Sequence, residues 1–421
     1  MERFSFVHTA DLHLDSPFAG LKEVDERVAR LLQSATFKAF ENIVSLCIER
    51  NVDFLLVAGD VYDGADRSLR AQLRFRDSLL RLSDAGIKTF VVHGNHDPMD
   101  GWSATLKWPD HVYIFRETIE SVPVQREKKK IAQVYGVSYP QRDLYENLAA
   151  HFRKEGEAPF HIGLLHCNVG TETGHKPYAP CSMEDLLSAG MDYWALGHVH
   201  RKTILSHKQP TIIYPGTPQG LNPNETGPHG CYVVEVERDG GISVEFVPVD
   251  EVRWVTHEVN ISNIKDHDHL LAFLEETSHR IQSQARKRNV ILRLALTGRG
   301  FVHHSLKRPG FIDDLTSRLR EIHAHDDPLI WIERIEPRTR PEVDIAARRQ
   351  AEDFIGEFLR VSQNLKEDDR LWPMLREELS ELISSRRGLR FLKMPDDEEL
   401  INLIEEAEVR GLDLLLGGSM K

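Results

Sequence analysis

Side chains that can bind metal ions follow several apolar segments of this chain, each at the point where the segment ends. The clearest case is residues 91–97 (VVHGNHD), in which a β-branched run stops at a glycine and polar residues. Residues 89–92 have the composition of a buried strand in a parallel sheet. Because ligands collect beyond the carboxyl ends of such strands, we predict that Asn95, His96 and Asp97 lie at the mouth of the sheet.

The same pattern occurs four more times. Apolar runs end at Asp11-x-His13, at Gly59-Asp60, at His166 and at His198-x-His200. Residues two positions apart in an extended chain point to the same side, so each of the two spaced pairs can hold one centre. The sequence therefore predicts five strands that deliver polar ligands to one edge.

The predicted ligands offer carboxylate and amide oxygens and imidazole nitrogens; they are Asp11, His13, Asp60, Asn95, His166, His198 and His200. This set suits manganese, iron, zinc or cobalt better than calcium or a structural zinc. Seven residues are too many for one ion. Two ions about 3.5–4 Å apart clamp the attacking and leaving oxygens of a displacement at phosphorus, so the residues predict phosphoester chemistry.

In the same order, these blocks resemble the five signature blocks of the calcineurin-like metallophosphoesterases. Residues 9–14 (TADLHL) and 58–63 (AGDVYD) are most similar to the DNA repair exonucleases of the SbcD and YhaO type. The resemblance is strong over about residues 1–250 and extends to the remainder in layout only.

The resemblance implies a role for each residue. One ion would be held by Asp11, His13, Asp60 and His200, and the other by Asp60, Asn95, His166 and His198, with Asp60 as the bridge. His96 would stand beside the scissile phosphate as the catalytic acid, and Asp97 would orient its ring. An imidazole needs such a partner to donate its proton in the right pose. We expect two divalent ions, manganese before iron, zinc or cobalt.

Four further residues are predicted to contact the substrate: Asp63, Arg67, Tyr214 and Thr217. Exonucleases of the SbcD type usually carry a histidine at the position of Asp63, where it is thought to seat the DNA end. A carboxylate there would repel phosphate unless it is paired, and Arg67 or Arg70 is the predicted partner. Tyr214 and Thr217 belong to a turn-rich segment that lies beside the metals in related enzymes, although a plain surface loop is an equal alternative.

The pattern along the 421 residues predicts three parts. Residues 1–251 alternate strand and helix, which indicates parallel βαβ units in two packed mixed sheets; the resemblance likewise implies a four-layered α/β/β/α sandwich. Residues 252–341 read as a small α+β capping domain. Its histidines, His303, His304, His323 and His325, are interpreted as surface residues.

Residues 342–421 are predicted to be helical and contain 19 acidic against 12 basic residues. Two apolar stripes repeat at helical spacing; they are Trp372, Leu375, Leu379, Leu382 and Ile383, and Leu400, Ile401, Leu403, Ile404 and Ala407. The stripes either pack on the body of the protein or, as in the repair exonucleases, dock on the coiled-coil base of an SMC-like, SbcC-type ATPase.

Charge and hydropathy limit the class of protein. The net charge of −13 argues mildly against a protein that coats nucleic acid, although local basic runs occur at residues 126–130 and 286–288. Since no stretch approaches 18 uncharged apolar residues and no signal peptide is recognisable, we expect a cytoplasmic protein without membrane contact.

Together these observations predict a two-metal-dependent phosphodiesterase that acts on DNA ends, as a 3′ to 5′ exonuclease in DNA repair. One alternative is a phosphoesterase for nucleotides or other small phosphodiesters. Another is a non-catalytic regulatory subunit of an SMC-like ATPase complex. The expected partners are DNA and that ATPase, and a homodimer is a further alternative.

Overall fold

A computed structural model of the chain describes residues 1–16, 26–64, 67–170, 178–286, 288–385 and 394–417. The strands in chain order are β1 (Phe4–Thr9), β2 (Phe54–Ala58), β3 (Lys88–Val92), β4 (Val112–Ile114), β5 (Glu120–Arg126), β6 (Lys129–Gly136), β7 (His161–His166), β8 (Tyr193–Gly197), β9 (Thr203–Ser206), β10 (Thr211–Tyr214), β11 (Gly230–Val236), β12 (Ile242–Pro248), β13 (Val252–Asn260), β14 (Asn289–Thr297) and β15 (Ile330–Pro337).

The helices in chain order are α1 (Glu26–Glu49), α2 (Leu69–Asp84), α3 (Met183–Ser188), α4 (His267–Gln284), α5 (His303–Leu306), α6 (Phe311–Ile322), α7 (Ile345–Arg349), α8 (Phe354–Glu367), α9 (Trp372–Ser385) and α10 (Asp397–Gly417). Short 3₁₀ turns occur at Leu148–His151 and Asp369–Leu371. No helix within the described ranges is long and apolar enough to cross a bilayer.

The chain divides into two compact units. The first comprises residues 1–257, 274–294 and 315–335, and the second comprises residues 258–273, 295–314 and 336–421. This division does not follow the boundaries predicted at residues 251/252 and 341/342, and the three-part division stays a prediction.

Two six-stranded sheets form the body of the first unit. Their strand orders are β12-β11-β1-β2-β3-β4 and β5-β6-β7-β8-β10-β9. Strands β1 to β4 run parallel to one another, as do β6, β7, β8 and β10. The remaining strands pair antiparallel at the edges. This mixed arrangement is the one predicted from the alternation of strands and helices.

Apolar side chains on both faces of each sheet produce four layers. Between the sheets, Phe6 stacks on Phe54 with ring centroids 4.9 Å apart and meets Tyr193 of the facing sheet edge-on at 5.1 Å. The outer face of the first sheet packs against α1 and α2. The outer face of the second sheet packs against α3 and the 3₁₀ turn before β7. The predicted α/β/β/α sandwich is confirmed.

Parallel pairing also determines where the strands end. Strands β1, β2 and β3 finish at the same edge of their sheet, as parallel strands in register must. The facing sheet ends beside them, because Nδ1 of His166, the last residue of β7, donates to the backbone oxygen of Ala58 at the end of β2 over 2.9 Å. Five strand ends thus meet at one place.

The elements predicted over residues 252–341 are present in the predicted order of strand, helix, strand, helix and strand. Strands β13, β14 and β15 form a third sheet in that order, with α4 and α6 between them in the chain. The interpretation of the histidines is wrong in part. His303 and His323 are buried, whereas His304 and His325 are exposed.

The two C-terminal apolar stripes contribute to one groove within the second unit. Together with α8, they line an apolar groove of about 360 Å³; the lining residues include Phe358, Val361, Leu365, Leu375, Leu379, Leu400, Leu403, Ile404 and Ala407. The side chains of Leu382 and Ile383 lie outside the described residues. The stripes therefore pack around a third helix of their own unit, a contact that the sequence pattern did not predict.

Candidate metal centre

The turns that carry the predicted ligands have an unusual backbone. Asp11, His13, Asp60 and His198 have φ values of 51°, 43°, 49° and 102°. Residues other than glycine rarely adopt positive φ, and such conformations collect at functional sites, where the surrounding structure holds them in place. Here the strands β2 and β8, which precede two of these turns, are fully buried, and β1 is nearly so.

Two glycines allow the strand ends to approach one another. A Cβ atom on Gly94 would lie 2.4 Å from Oδ1 of Asp60 and 2.7 Å from Nε2 of His166. A Cβ atom on Gly197 would lie 1.8 Å from the backbone oxygen of Ala58. Both positions therefore need a residue without a side chain.

The first group of ligands contains Asp11, His13 and His200, whose donor atoms all lie within 4.8 Å of one another. The Nε2 atoms of His13 and His200 are 3.2 Å apart. Asp11 and His13 are buried, and His200 is partly exposed. Two imidazole nitrogens and a carboxylate in this arrangement fit a divalent cation with an open side.

The second group contains Asp11, Asp60 and His166, again with donor atoms within 4.8 Å. Oδ1 of Asn95 lies 3.0 Å from Nε2 of His166 and 3.2 Å from Nδ1 of His198. All seven predicted ligands are thus brought to one place. Asp11 belongs to both groups, so the assignment of Asp60 as the bridge stays a prediction.

Hydrogen bonds on the far side of two imidazoles prepare them for metal binding. Nδ1 of His166 donates to the backbone oxygen of Ala58 over 2.9 Å, and Nδ1 of His200 donates to Oε1 of Glu225 over 3.1 Å. A proton fixed on Nδ1 leaves the Nε2 lone pair for the ion, as is usual for metal-bound histidines. Sequence reasoning missed Glu225, because it lies in a loop and follows no apolar strand.

Burial and mutual charge shift the ionisation of the ligands. Burial raises the pKa of Asp11 to about 6, against the effects of His166 and His200. Burial alone would lower the pKa of His166. The negative charges of Asp60 and Asp11 outweigh this effect and raise the pKa to about 9. Burial acts to raise the pKa of Asp60, yet the charge and hydrogen bond of His166 hold it below its usual range. Two buried carboxylates thus create a site that favours cations.

The donor set therefore fits two divalent ions of the borderline type. It combines carboxylate oxygens, one amide oxygen and imidazole nitrogens, and sulfur is not part of it. When bound, such ions supply an acidified water molecule and positive charge to a phosphate ester.

His96 lies beside the ligands and is paired with Asp63. Nδ1 of His96 donates to Oδ1 of Asp63 over 2.9 Å, and each side chain keeps about a third of its surface exposed. The hydroxyl of Ser16 donates to the other oxygen of Asp63. The hydrogen bond to Asp63 raises the pKa of His96. The prediction that Asp63 pairs with Arg67 or Arg70 is wrong, because Arg70 lies near Asp15 instead.

Asp97 does not orient His96, and that prediction is also wrong. Its buried carboxylate accepts hydrogen bonds from the backbone N–H groups of Val61 and Gly94, at 2.9 and 2.8 Å, and from Nδ1 of His93 at 2.8 Å. These contacts join the turn after β2 to the turn after β3. The orienting carboxylate of His96 comes from the turn after β2, three residues beyond Asp60.

The other predicted substrate contacts are engaged within the protein. Arg67 donates to the backbone oxygens of Asp97 and Pro98, at 2.6 and 2.5 Å. The hydroxyl of Tyr214 donates to the backbone oxygen of Cys167 over 2.8 Å, and the hydroxyl of Thr217 lies 2.9 Å from Nδ1 of His229. Both hydroxyl-bearing residues are buried, and substrate contact by these three residues stays a prediction.

Comparison with known proteins identifies the family. The calcineurin-like phosphoesterase family matches residues 4–202, and the middle domain of metallophosphoesterase YhaO matches residues 254–340. The protein named "Uncharacterized metallophosphoesterase YhaO" of Bacillus subtilis (strain 168) is 37% identical over 343 residues, which is 81% of this chain and 83% of the relative. The chain belongs to the calcineurin-like metallophosphoesterases. This family uses divalent metals.

More distant relatives of this metallophosphoesterase carry names from DNA repair. The SbcD subunit of the nuclease SbcCD of Bacillus subtilis (strain 168) is 24% identical over 62% of this chain and 70% of the relative. "DNA double-strand break repair protein Mre11" of Methanopyrus kandleri is 26% identical over 59% of this chain and 57% of the relative. These matches agree with the resemblance to the repair branch that the motifs indicated.

The contact between Glu225 and His200 can be tested directly. We expect Glu225→Gln to weaken activation by the divalent metal about 10- to 100-fold, because His200 loses the carboxylate that fixes its ring. The measurement is a titration of phosphoesterase activity with Mn²⁺. Asn224→Ser, an exposed change in the same loop, is the control and should leave the titration unchanged. Equal metal dependence in both variants would contradict the role of Glu225.

Proposed function

We propose that this metallophosphoesterase is a two-metal-dependent phosphodiesterase that degrades DNA from its ends, in the 3′ to 5′ direction, with manganese as the preferred metal. The observation that carries the proposal is the convergence of all seven predicted ligands with His96 beside them. The proposal includes DNA repair as its setting and the cytoplasm as its location.

The chain's own residues would act in the reaction as follows. His96 would protonate the leaving oxygen through Nε2, since its Nδ1 is held by Asp63. Asp63 fixes the ring and favours its protonated form. Asp97 keeps the two ligand-bearing turns together, so that His96 stays beside Asp60, whose Oδ1 accepts from the backbone N–H of His96 over 2.9 Å.

The names of the relatives support DNA as the substrate, since one of them belongs to a nuclease and another is called a double-strand break repair protein. The basic runs at residues 126–130 and 286–288 give less support to DNA as the substrate. Arg126 pairs with Asp53 and Lys129 with Glu2, and Lys287 lies outside the described residues. We therefore infer that DNA would be gripped near the metals and not over a broad basic face.

A second candidate function is hydrolysis of small phosphodiesters such as nucleotides. The observation that favours it is Asp63, whose position in repair exonucleases of the SbcD type usually carries a histidine. The Asp63 carboxylate accepts hydrogen bonds from His96 and Ser16, which reduces its repulsion of a DNA phosphate. These contacts do not supply the positive charge that a histidine at this position could carry. The third alternative, a regulatory subunit without activity, is disfavoured by the complete ligand set.

Purified protein with Mn²⁺ should release mononucleotides from the 3′ ends of labelled duplex DNA, and His96→Ala should reduce the rate at least 100-fold because the catalytic acid is lost. The readout is gel analysis of 3′- and 5′-labelled strands, with bis-p-nitrophenyl phosphate as a small substrate in parallel. Metal content of the variant, measured by mass spectrometry, serves as the control for an intact site.

The outcomes separate the candidates. Turnover of the small ester with DNA left intact would contradict the exonuclease proposal and support the small-substrate enzyme. No turnover of either substrate would support the regulatory subunit. Degradation from the 5′ end would overturn the proposed direction alone.

The role of Asp63 predicts a change in pH dependence. Because Asp63 raises the pKa of His96, the variant Asp63→Asn should lower that pKa, and His96 should lose its proton at lower pH. We expect the alkaline limb of the kcat profile to move to lower pH and kcat at pH 8 to fall about tenfold or more. Asp97→Asn is the contrast: it should reduce thermal stability without moving that limb. A profile unchanged by Asp63→Asn would contradict the orienting role.

We further propose that the apolar groove of α8, α9 and α10 binds an SMC-like ATPase. The support is the name of the relative that is part of a nuclease complex and the exposure of 48% for Leu403, which lines the groove. Leu403→Asp should weaken co-elution with the purified ATPase at least tenfold, because a charge in an apolar contact is not compensated. Val409→Asp, at 49% exposure on the same helix outside the groove lining, is the matched control. Equal co-elution of both variants would contradict this site.

A further inference from the structure

A second cluster of metal-binding side chains lies in the first unit, apart in sequence from the residues described above. It contains His279 of α4, His323 directly after α6, and Asp326 in the turn that follows. One ligand atom from each of the three lies within 4.8 Å of the others. None of these residues belongs to the strand-end blocks of the phosphoesterase site.

His323 is the central member of this cluster. Its side chain is fully buried, and its Nδ1 donates to Oδ2 of Asp326 over 2.7 Å. Because a carboxylate can only accept, the ring proton sits on Nδ1, and Nε2 of the neutral ring holds a lone pair. That Nε2 is buried and has no hydrogen-bond partner among the residues that the structure describes.

An isolated histidine–aspartate pair does not explain this arrangement. Buried polar atoms in proteins are nearly always paired, and each exception calls for an explanation. A carboxylate on one ring nitrogen with the other nitrogen left free is the arrangement that surrounds metal-bound histidines. The unpaired Nε2 of His323 therefore indicates a missing ligand partner.

His279 supplies the second imidazole and access from solvent. Its ring centroid is 4.9 Å from that of His323, with an angle of 74° between the planes. His279 is exposed, so one side of the cluster faces solvent. The exposed ring can also move by the small amount needed to close around an ion.

The turn that carries Asp326 is held firmly. The backbone N–H of His323 donates to Leu319 and that of Asp326 donates to His323, at 3.1 and 3.2 Å. The guanidinium of Arg27 donates to the backbone oxygens of Ala324 and Asp326, at 2.8 and 2.9 Å. The buried half of the cluster is thus preorganised, which binding sites require.

We propose that His279 and His323 are the protein ligands of a separate site for one divalent ion of the zinc class, with Nε2 of His323 as the buried ligand and Asp326 holding the proton on its Nδ1. Two imidazoles beside a carboxylate suit zinc, cobalt or nickel and disfavour calcium or magnesium. Two ligand atoms of a tetrahedral zinc lie roughly 3.3 Å apart, given Zn–N bonds of about 2.0–2.1 Å, so a nitrogen of the exposed His279 ring would have to approach Nε2 of His323 to about that distance. The ion would tie α4 to the end of α6.

The test measures zinc binding in a background in which the phosphoesterase site is weakened. Full-length protein carrying His13→Ala and His166→Ala loses one predicted ligand from each catalytic ion. We expect this protein to bind one equivalent of Zn²⁺ in competition with a chromogenic chelator. Adding His279→Gln should weaken that binding at least tenfold. Adding His325→Gln, an exposed histidine of the same turn, is the matched control and should change nothing.

Zinc binding that is absent from the His13→Ala, His166→Ala protein, or that is unaffected by His279→Gln, would overturn the proposal. Circular dichroism checks that the background protein is folded. If it is not, the zinc content of the otherwise unsubstituted chain is measured by mass spectrometry after dialysis. His279→Gln should then hold one ion fewer than the unsubstituted chain and the His325→Gln control, and equal contents would reject the site.

Discussion

The structure depends on two carboxylates, Asp11 and Asp60, that are buried side by side at the ends of neighbouring strands. Their relative exposures are 0% and 1%. Removing like charges from water is costly unless cations or hydrogen bonds compensate them. Here the compensation comes from histidines of the facing sheet, and a pair of divalent ions would complete it. Metal binding at such a site would therefore also contribute to the stability of the folded chain.

This constraint explains the local backbone. Carboxylates and imidazoles can converge only if the strand ends approach closely, and Gly94 and Gly197 leave the necessary space. The ligand-bearing turns adopt positive φ at Asp11, Asp60 and His198. The aromatic core between the two sheets and the helices outside them hold these turns in a conformation that a short peptide would not keep. The packed sheets and helices of the sandwich therefore provide the rigidity that the site requires.

The sequence predicted much of this arrangement because the ligands follow a rule of position. A polar residue directly after an apolar run lies at the carboxyl end of a strand, and parallel strands place such ends together, so Asp11, Asp60 and His166 could be found from the pattern. Contacts within and between loops obey no such rule. The choice of Asp63 over Asp97 as partner of His96 depends on how two turns fold against each other, and Glu225 reaches His200 from a loop with no periodic signal.

Burial in the rest of the chain was harder to predict for the same reason. His323 follows a helix, where nothing in the spacing distinguishes a buried ring from an exposed one, and the neighbouring His325 is exposed. The C-terminal stripes were visible as amphipathic helices, but their common partner α8 was not, because a stripe shows which face is buried and not what covers it.

Two divalent ions would be held together by this group of seven residues. The most direct measurement is anomalous X-ray diffraction from crystals grown with Mn²⁺. Two ions bridged by Asp60 would give two anomalous peaks about 3.5–4 Å apart, both within bonding distance of its carboxylate. A single peak, or two peaks of which only one contacts Asp60, would contradict it.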